Sequence, residues 1–244
     1  MQEKAIKDTG RAKNLLLLLL GCSFTASFGQ SMVNIALPKM ADEFSVTLSN
    51  ANWLIVGYMV VASVSIMLAA YLLKRLGLRK VFFIGGFALV LGSGLALVAS
   101  SFPVLLSCRL VQAVGTGLFY PVVTSAIMTG SPQKSLGTHL ALNSGIIAIG
   151  LAVSPVISGL IITYFDWRLM FVVPCVLSLA LLVAGFFFMR GAKGGARVSV
   201  DPLSVIAGLI GLSALMYGLG EITHDFVPSI VSLGVGVTVL ALFA

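Results

Sequence analysis

The chain has 244 residues, 59% of them hydrophobic and 9% charged, with 15 Lys and Arg against 8 Asp and Glu, a formal net charge of +7 and a mean hydropathy of +1.10. So few polar groups cannot cover the surface of a water-soluble domain, and the long unbroken apolar runs exclude an outer-membrane barrel, whose short strands alternate. In a membrane protein the basic excess reports topology through its distribution between loops, and no nucleic-acid partner is expected.

Residues 1–14 form an amino-terminal tail carrying Lys4, Lys7, Arg11 and Lys13. The apolar run that follows is too long for a signal-peptide core and reads as an uncleaved first span, Leu15 to Leu37. Further spans are predicted at Trp53–Leu73, Val81–Ser100, Val104–Ile127, Leu140–Tyr164, Leu169–Met189, Leu203–Gly220 and Val227–Ala244, the chain ending inside the last. The organisation is a six-helix unit over 15–190, a basic linker over 191–202 and two further helices over 203–244. With loops placed alternately, one side collects 12 Lys and Arg and the other only Lys39 and Arg168. The positive-inside rule then puts the amino terminus in the cytoplasm of a cell bearing this protein in its plasma (inner) membrane.

The first span carries a polar stripe, Ser23, Ser27, Gln30 and Asn34, at i, i+4, i+7 and i+11. Spans three and six are apolar and small and read as outer helices. The fourth span holds the one charge inside an apolar run, Arg109, and Gln112, Thr116 and Tyr120 continue its face. Two readings of Arg109 are open. It snorkels to the interface a turn or so after Pro103, or it faces a water-filled interior together with the first span. The continuing polar stripe favours the second.

Span five spaces Gly150, Ser154 and Ser158 four apart, a smooth face for a neighbouring backbone, and Pro155 bends it. Either static packing or a sliding surface fits that pattern. Asp166, Trp167 and Arg168 fall in the external turn that follows, the aromatic as an interfacial anchor and the charges solvated. Asp201-Pro202 reads as the N-cap and first residue of span seven, and Glu221, His224 and Asp225 as a polar external turn rather than a metal site. Cys22, Cys108 and Cys175 sit in apolar runs without CxxC spacing and read as packing residues. No nucleophile–base set, HExxH, phosphate loop or dinucleotide turn is present, so neither an enzyme nor a cofactor or metal is expected.

Taken together these stretches resemble the major facilitator superfamily, specifically the amino-terminal half of its fourteen-helix drug:proton antiporters. Asn34-Ile35-Ala36-Leu37-Pro38 is similar to the NxALP ending of helix one, and Trp53 with Tyr58 to WxxxxY in helix two. The run Leu76-Gly77-Leu78-Arg79-Lys80 resembles the second half of the signature between helices two and three. Arg109, Gln112, Gly115 and Gly117 match RxxQGxG, with Ala113 for the first glycine. Gly145, Gly150, Pro155 and Gly159 follow the antiporter motif of helix five, with Ser154 and Ser158 in place of its glycines in GP and GG, and Trp167, Arg168 and Phe171 resemble the family's WRxxF stretch.

The resemblance implies an all-α membrane protein with a six-helix major-facilitator-type bundle plus two further transmembrane helices. It implies proton-coupled efflux of amphipathic or cationic drugs by alternating access, with small-molecule substrate, protons and lipid bilayer as partners. Arg109, Gln112, Thr116, Tyr120, Gln30 and Asn34 would line the pathway. Lys74, Arg75, Gly77, Arg79 and Lys80 would form the gating loop, and Gly150, Ser154 and Pro155 would move against a carboxy-terminal bundle. That bundle would come from a longer protein, a second chain or self-association. Two departures stand out: Lys74 replaces the acid of the loop signature, and Gly29 occupies the position of an acid common in helix one. All eight carboxylates read as tail, loop or helix-end residues, leaving no embedded proton carrier. The alternative expectation is a transport-inactive membrane protein that needs or binds a partner chain.

Overall fold

The structure, a computed structural model, describes residues 2–189, 208, 210–211, 213–215, 217–218 and 226–243. The first span is built from α1 (Gln2–Ser31) and α2 (Val33–Glu43). The chain stays helical between them, because Met32 has φ −61 and ψ −31 and its N–H reaches the Phe28 carbonyl at 3.1 Å. Helix formers such as Glu3, Lys4, Ala5, Lys7 and Arg11 carry the helix through the residues expected to form a separate tail. At its far end it passes Pro38, which takes one donor out of the ladder.

Helix α3 (Leu48–Leu76) opens on Thr47, whose hydroxyl accepts from the Asn50 N–H, and places Lys74 and Arg75 in its last turn, where cations suit the helix dipole. Helix α4 (Leu78–Ala96) begins one residue later. Gly77, at φ +80 and ψ 160, is the whole connection, in a region open almost only to glycine. The expected Lys74–Lys80 loop is thus two helix ends joined by one residue. Next come α5 (Phe102–Gly130), with Pro103 in its first turn, and α6 (Leu136–Tyr164), followed by a 3-10 turn (Trp167–Phe171) and α7 (Val172–Phe188). The last element is α8 (Phe226–Phe243), which meets the helical residues near 214 through a Ser232 hydroxyl bond to the Ala214 carbonyl at 2.8 Å. The expected basic linker over 191–202, Asp201-Pro202 and the 221–225 turn lie outside the described residues.

Six of these helices are long and apolar enough to cross a membrane. Helix α5 is the most enclosed and α6 the least. The third span, α4, turns Ile84, Phe87, Leu91 and Leu95 outward as expected of an outer helix, while its other face lies along α5 so closely that a Cβ on Gly115 would stand 2.8 Å from the Leu89 nitrogen and one on Gly92 2.7 Å from the Cys108 carbonyl oxygen. Small residues at such crossings let dispersion and backbone contact hold helices where lipid gives no hydrophobic drive. Two apolar clusters result. One contains Leu19, Phe82, Leu89, Phe119 and Val122 toward the Gly77 end, the other Phe28, Met32, Leu54, Leu105 and Trp167 toward the opposite end. Arg109, Gln112 and Thr116 lie along α5 between Leu105 and Leu118, a polar layer between the two clusters.

Candidate functional site: a buried arginine among neutral partners

Arg109 does not snorkel. It is 0% exposed, on the most enclosed helix, and its charge is met by neutral groups from two others, α1 and α3, and by Gln112 of its own. Its Nη1 donates to the Gly29 carbonyl at 2.8 Å and to Gln112 Oε1 at 2.6 Å, and Nε reaches the Leu54 carbonyl at 3.4 Å. The guanidinium carbon lies 3.9 Å from the centroid of the Tyr58 ring, a cation–π contact in a desolvated setting. The network then spreads outward. Gln112 Nε2 donates to Ser93 Oγ at 2.8 Å, and the Tyr58 and Thr116 hydroxyls share a bond of 2.6 Å. Nη2 has no partner among the described residues.

This arrangement follows from local sequence. One α-helical turn separates Arg109 from Gln112, so the amide sits where it can accept from the guanidinium while offering its other end to α4. Gly29 has no side chain between its carbonyl and the arginine, and an added Cβ would meet only ordinary contacts, with Gln112 Nε2 at 3.6 Å and Tyr58 Oη at 3.9 Å. Gly115 and Gly117 serve different neighbours: a Cβ on the first would strike α4, on the second the Ala62 carbonyl of α3. These two glycines let α5 approach both helices that complete the site.

The expected pathway residues divide. Arg109, Gln112 and Thr116 are enclosed rather than lining open water, because α3 and α4 close over that face. Tyr120 and Gln30 form a separate half-buried pair, O–H to Oε1 at 3.1 Å, and Asn34 is exposed. The first-span stripe is likewise split: Ser23 Oγ donates to Asn143 of α6 at 2.6 Å and Ser27 is buried, so its lower half packs rather than faces a cavity.

On α6, Gly150 and Ser154 press against α1, where the Ser154 hydroxyl donates to the Phe28 carbonyl at 2.8 Å and a Cβ on Gly150 would collide with Ser27. That places them inside this bundle and not at the surface expected to move against another. Gly145 and Gly159 point elsewhere, with nothing within 4 Å of an added Cβ, and Pro155 is half-buried. In the expected gating loop Arg75 donates to the Tyr71 hydroxyl at 2.6 Å, and Arg79 lies 5.9 and 5.8 Å from the Phe83 and Phe186 rings. Lys74, Arg75, Arg79 and Lys80 make no ion pair among the described residues.

At the opposite end of the bundle the charges are paired. Arg168 Nη2 meets Glu43 Oε1 at 2.7 Å and the Ala99 carbonyl at 3.1 Å, and the Trp167 indole N–H donates to Glu43 Oε2. Those bonds hold Glu43 below the usual carboxylate range, the Arg168 hydrogen bond first among the causes. Trp167 is 0% exposed, a core residue and not the interfacial anchor expected. Reasoning from sequence missed Ser93, although it is the one polar side chain in α4 between Lys80 and Ala96, and the carbonyls of Gly29 and Leu54, which no side-chain pattern can reveal.

A bundle of membrane-length helices around a buried cation defines an α-helical integral membrane protein. The sequence model of the Major Facilitator Superfamily matches residues 19–244, and the chain belongs to that family. The uncharacterized MFS-type transporter YhcA of Bacillus subtilis is 32% identical over 89% of this chain and 42% of its own length. The lincomycin resistance protein LmrB of the same organism is 30% identical over 94% of this chain and 49% of its own. Among solved structures, the peptide transporter POT in complex with sulfate superposes with a TM-score of 0.71 at 16% identity, covering 93% of this chain and 51% of that one. The chain thus spans about half the length of the curated relatives it matches.

Proposed function

We propose that this chain is the amino-terminal portion of a drug exporter working by alternating access, with Arg109 as the electrostatic centre of the translocation machinery. The observation that carries the reading is the wholly buried guanidinium with one nitrogen unpartnered among the described residues. Fixed charge in a membrane interior is costly and a guanidinium keeps its proton, so it is retained where it acts on something that passes or binds. The likeness to LmrB supports a drug as the transported compound. Six helices over 15–190 make one bundle, and the rocking partner is a second bundle beyond this chain. A cationic drug or a proton carrier would need an acid, and within the membrane-length helices from Leu48 to Tyr164 and the first span from Leu15 to Ser31 there is none, Asp42, Glu43 and Asp166 lying at helix ends. That acid is the contribution of the second bundle.

The test is uptake of lincomycin and of a fluorescent amphipathic dye into inside-out vesicles containing the chain fused to a carboxy-terminal bundle, with and without a proton gradient. Uptake abolished by an uncoupler and by Arg109→Ala supports the reading, and uptake indifferent to Arg109→Ala sinks it. The second reading, a chain that transports only with a partner, is favoured by the half-length match. A folded chain that takes up nothing alone and gains uptake when co-expressed with a carboxy-terminal bundle is its signature.

A further inference from the structure

The end of the bundle bearing Lys13 and the α5–α6 connection encloses a cavity of about 360 Å³. That volume falls within the roughly 300–1,000 Å³ typical of small-molecule sites. Its wall is apolar, from Leu15, Leu16 and Leu19 of α1 and Ile127 of α5, and its rim is polar, from Lys13, Ser131, Ser135 and His139. The rim is held in shape. The Ser131 N–H bonds the Ile127 carbonyl at 3.0 Å, Ser135 Oγ donates to the Pro132 carbonyl at 3.2 Å, and His139 Nδ1 lies 2.7 Å from the Ser131 hydroxyl. Nε2 has no partner among the described residues, and it is a donor when the Ser131 hydroxyl donates to Nδ1 and an acceptor when Nδ1 carries the proton. Lys13 makes no ion pair among the described residues, and Asp42, Glu43 and Asp166 stand at the other end.

An apolar wall beneath a rim of a cation and an imidazole able to donate is complementary to one class of molecule. We propose that this cavity binds a drug-sized amphiphile with a single anionic head, the head meeting Lys13 and His139 and the apolar body lying on Leu15, Leu16 and Ile127. A cationic head there would be set against the Lys13 ammonium. This inference stands apart from the export reading, since binding is measured without transport.

The experiment is scintillation-proximity binding of tritiated 1-naphthaleneacetate to the chain in phosphatidylcholine nanodiscs, with 1-naphthaleneacetamide as the uncharged competitor. Saturable binding is expected, with the amide about tenfold weaker and Lys13→Gln weakening the carboxylate about five- to tenfold, the size of one partly solvated charge contact. Lys134→Gln, a nearby cation outside the cavity, leaves binding unchanged. Gly130→Leu abolishes it by filling space where an added Cβ meets nothing within 4 Å. Absence of saturable binding, equal affinity for the amide, equal loss in Lys134→Gln, or full binding in Gly130→Leu each overturns the proposal. Loss of binding when phosphatidylglycerol replaces half of the nanodisc lipid also overturns it, by assigning the cavity to a lipid headgroup. Vesicle uptake that fails in the presence of a carboxy-terminal bundle while naphthaleneacetate binds rejects the export reading alone.

Discussion

Two arginines in this protein live under opposite rules. Arg168 is 25% exposed and sits between Glu43 and Asp166, with N–O distances of 2.7 and 3.6 Å, tying the end of α2, the α4–α5 connection and the α6–α7 turn together. Arg109 is 0% exposed and has carbonyls, an amide and an aromatic face but no carboxylate among the described residues. A partly exposed ion pair is affordable and structural, whereas an uncompensated buried cation works against stability and persists for what it does. On the proposed function, the same chain separates the charge that holds the bundle from the charge that operates it.

Replacing each arginine by an apolar residue of similar length tests that separation. Arg109→Met is expected to lower transport about 100-fold or more in the complete transporter, while leaving thermal stability equal or higher by about 1–4 kcal/mol, as when other buried charges give way to apolar groups. Marked destabilisation with transport preserved would reverse the assignment. Arg168→Met is expected to do the opposite, costing about 1–2 kcal/mol in stability through the lost ion pair and the orphaned Ala99 carbonyl, with transport changed much less. Urea titration in mild detergent reads the first quantity and vesicle uptake the second.

Glu43→Gln removes the charge and keeps the shape, and is expected to cost at most about 1 kcal/mol, since the pair is partly solvated. It also fixes a pH dependence. Because Glu43 is held below its ordinary 4.5, its contribution is complete above that value and is lost as pH falls through the lower folded value. Unfolding midpoints of wild type and Glu43→Gln should converge below pH 4.5, and a constant gap down to pH 3 would contradict the role given to the carboxylate. The smallest effect belongs to a third kind of arginine. Arg79→Gln gives up contacts with the Phe83 and Phe186 rings and is expected to cost about 0.5 kcal/mol in stability.

Much of this organisation is legible in the sequence because membrane helices announce themselves by apolar length and the lone Arg109 by contrast with it. The six-helix order and the span positions come from those two signals. The helix ends extend further than hydropathy marks them, since Lys74, Arg75, Arg79 and Lys80 continue α3 and α4 into water as readily as apolar residues would. The site's outer half is not legible for a different reason. Gly29 and Leu54 act through backbone carbonyls, and whether Ser23 and Ser27 face water or α6 depends on where α6 lies, which spacing along one helix cannot fix. Gly150 and Ser154 show the same limit: the smooth face is plain in the sequence, its occupant is not.

The glycine contact between α4 and α5 has a mechanical meaning. Where two helices touch through side chains, rotamers can yield and absorb a small displacement. At Gly115 and Gly92 backbone rests on backbone, and no rotamer is there to yield. Helices α4 and α5 are therefore expected to turn as one strut, and the Ser93–Gln112–Arg109 chain ties the guanidinium to the buried face of α4.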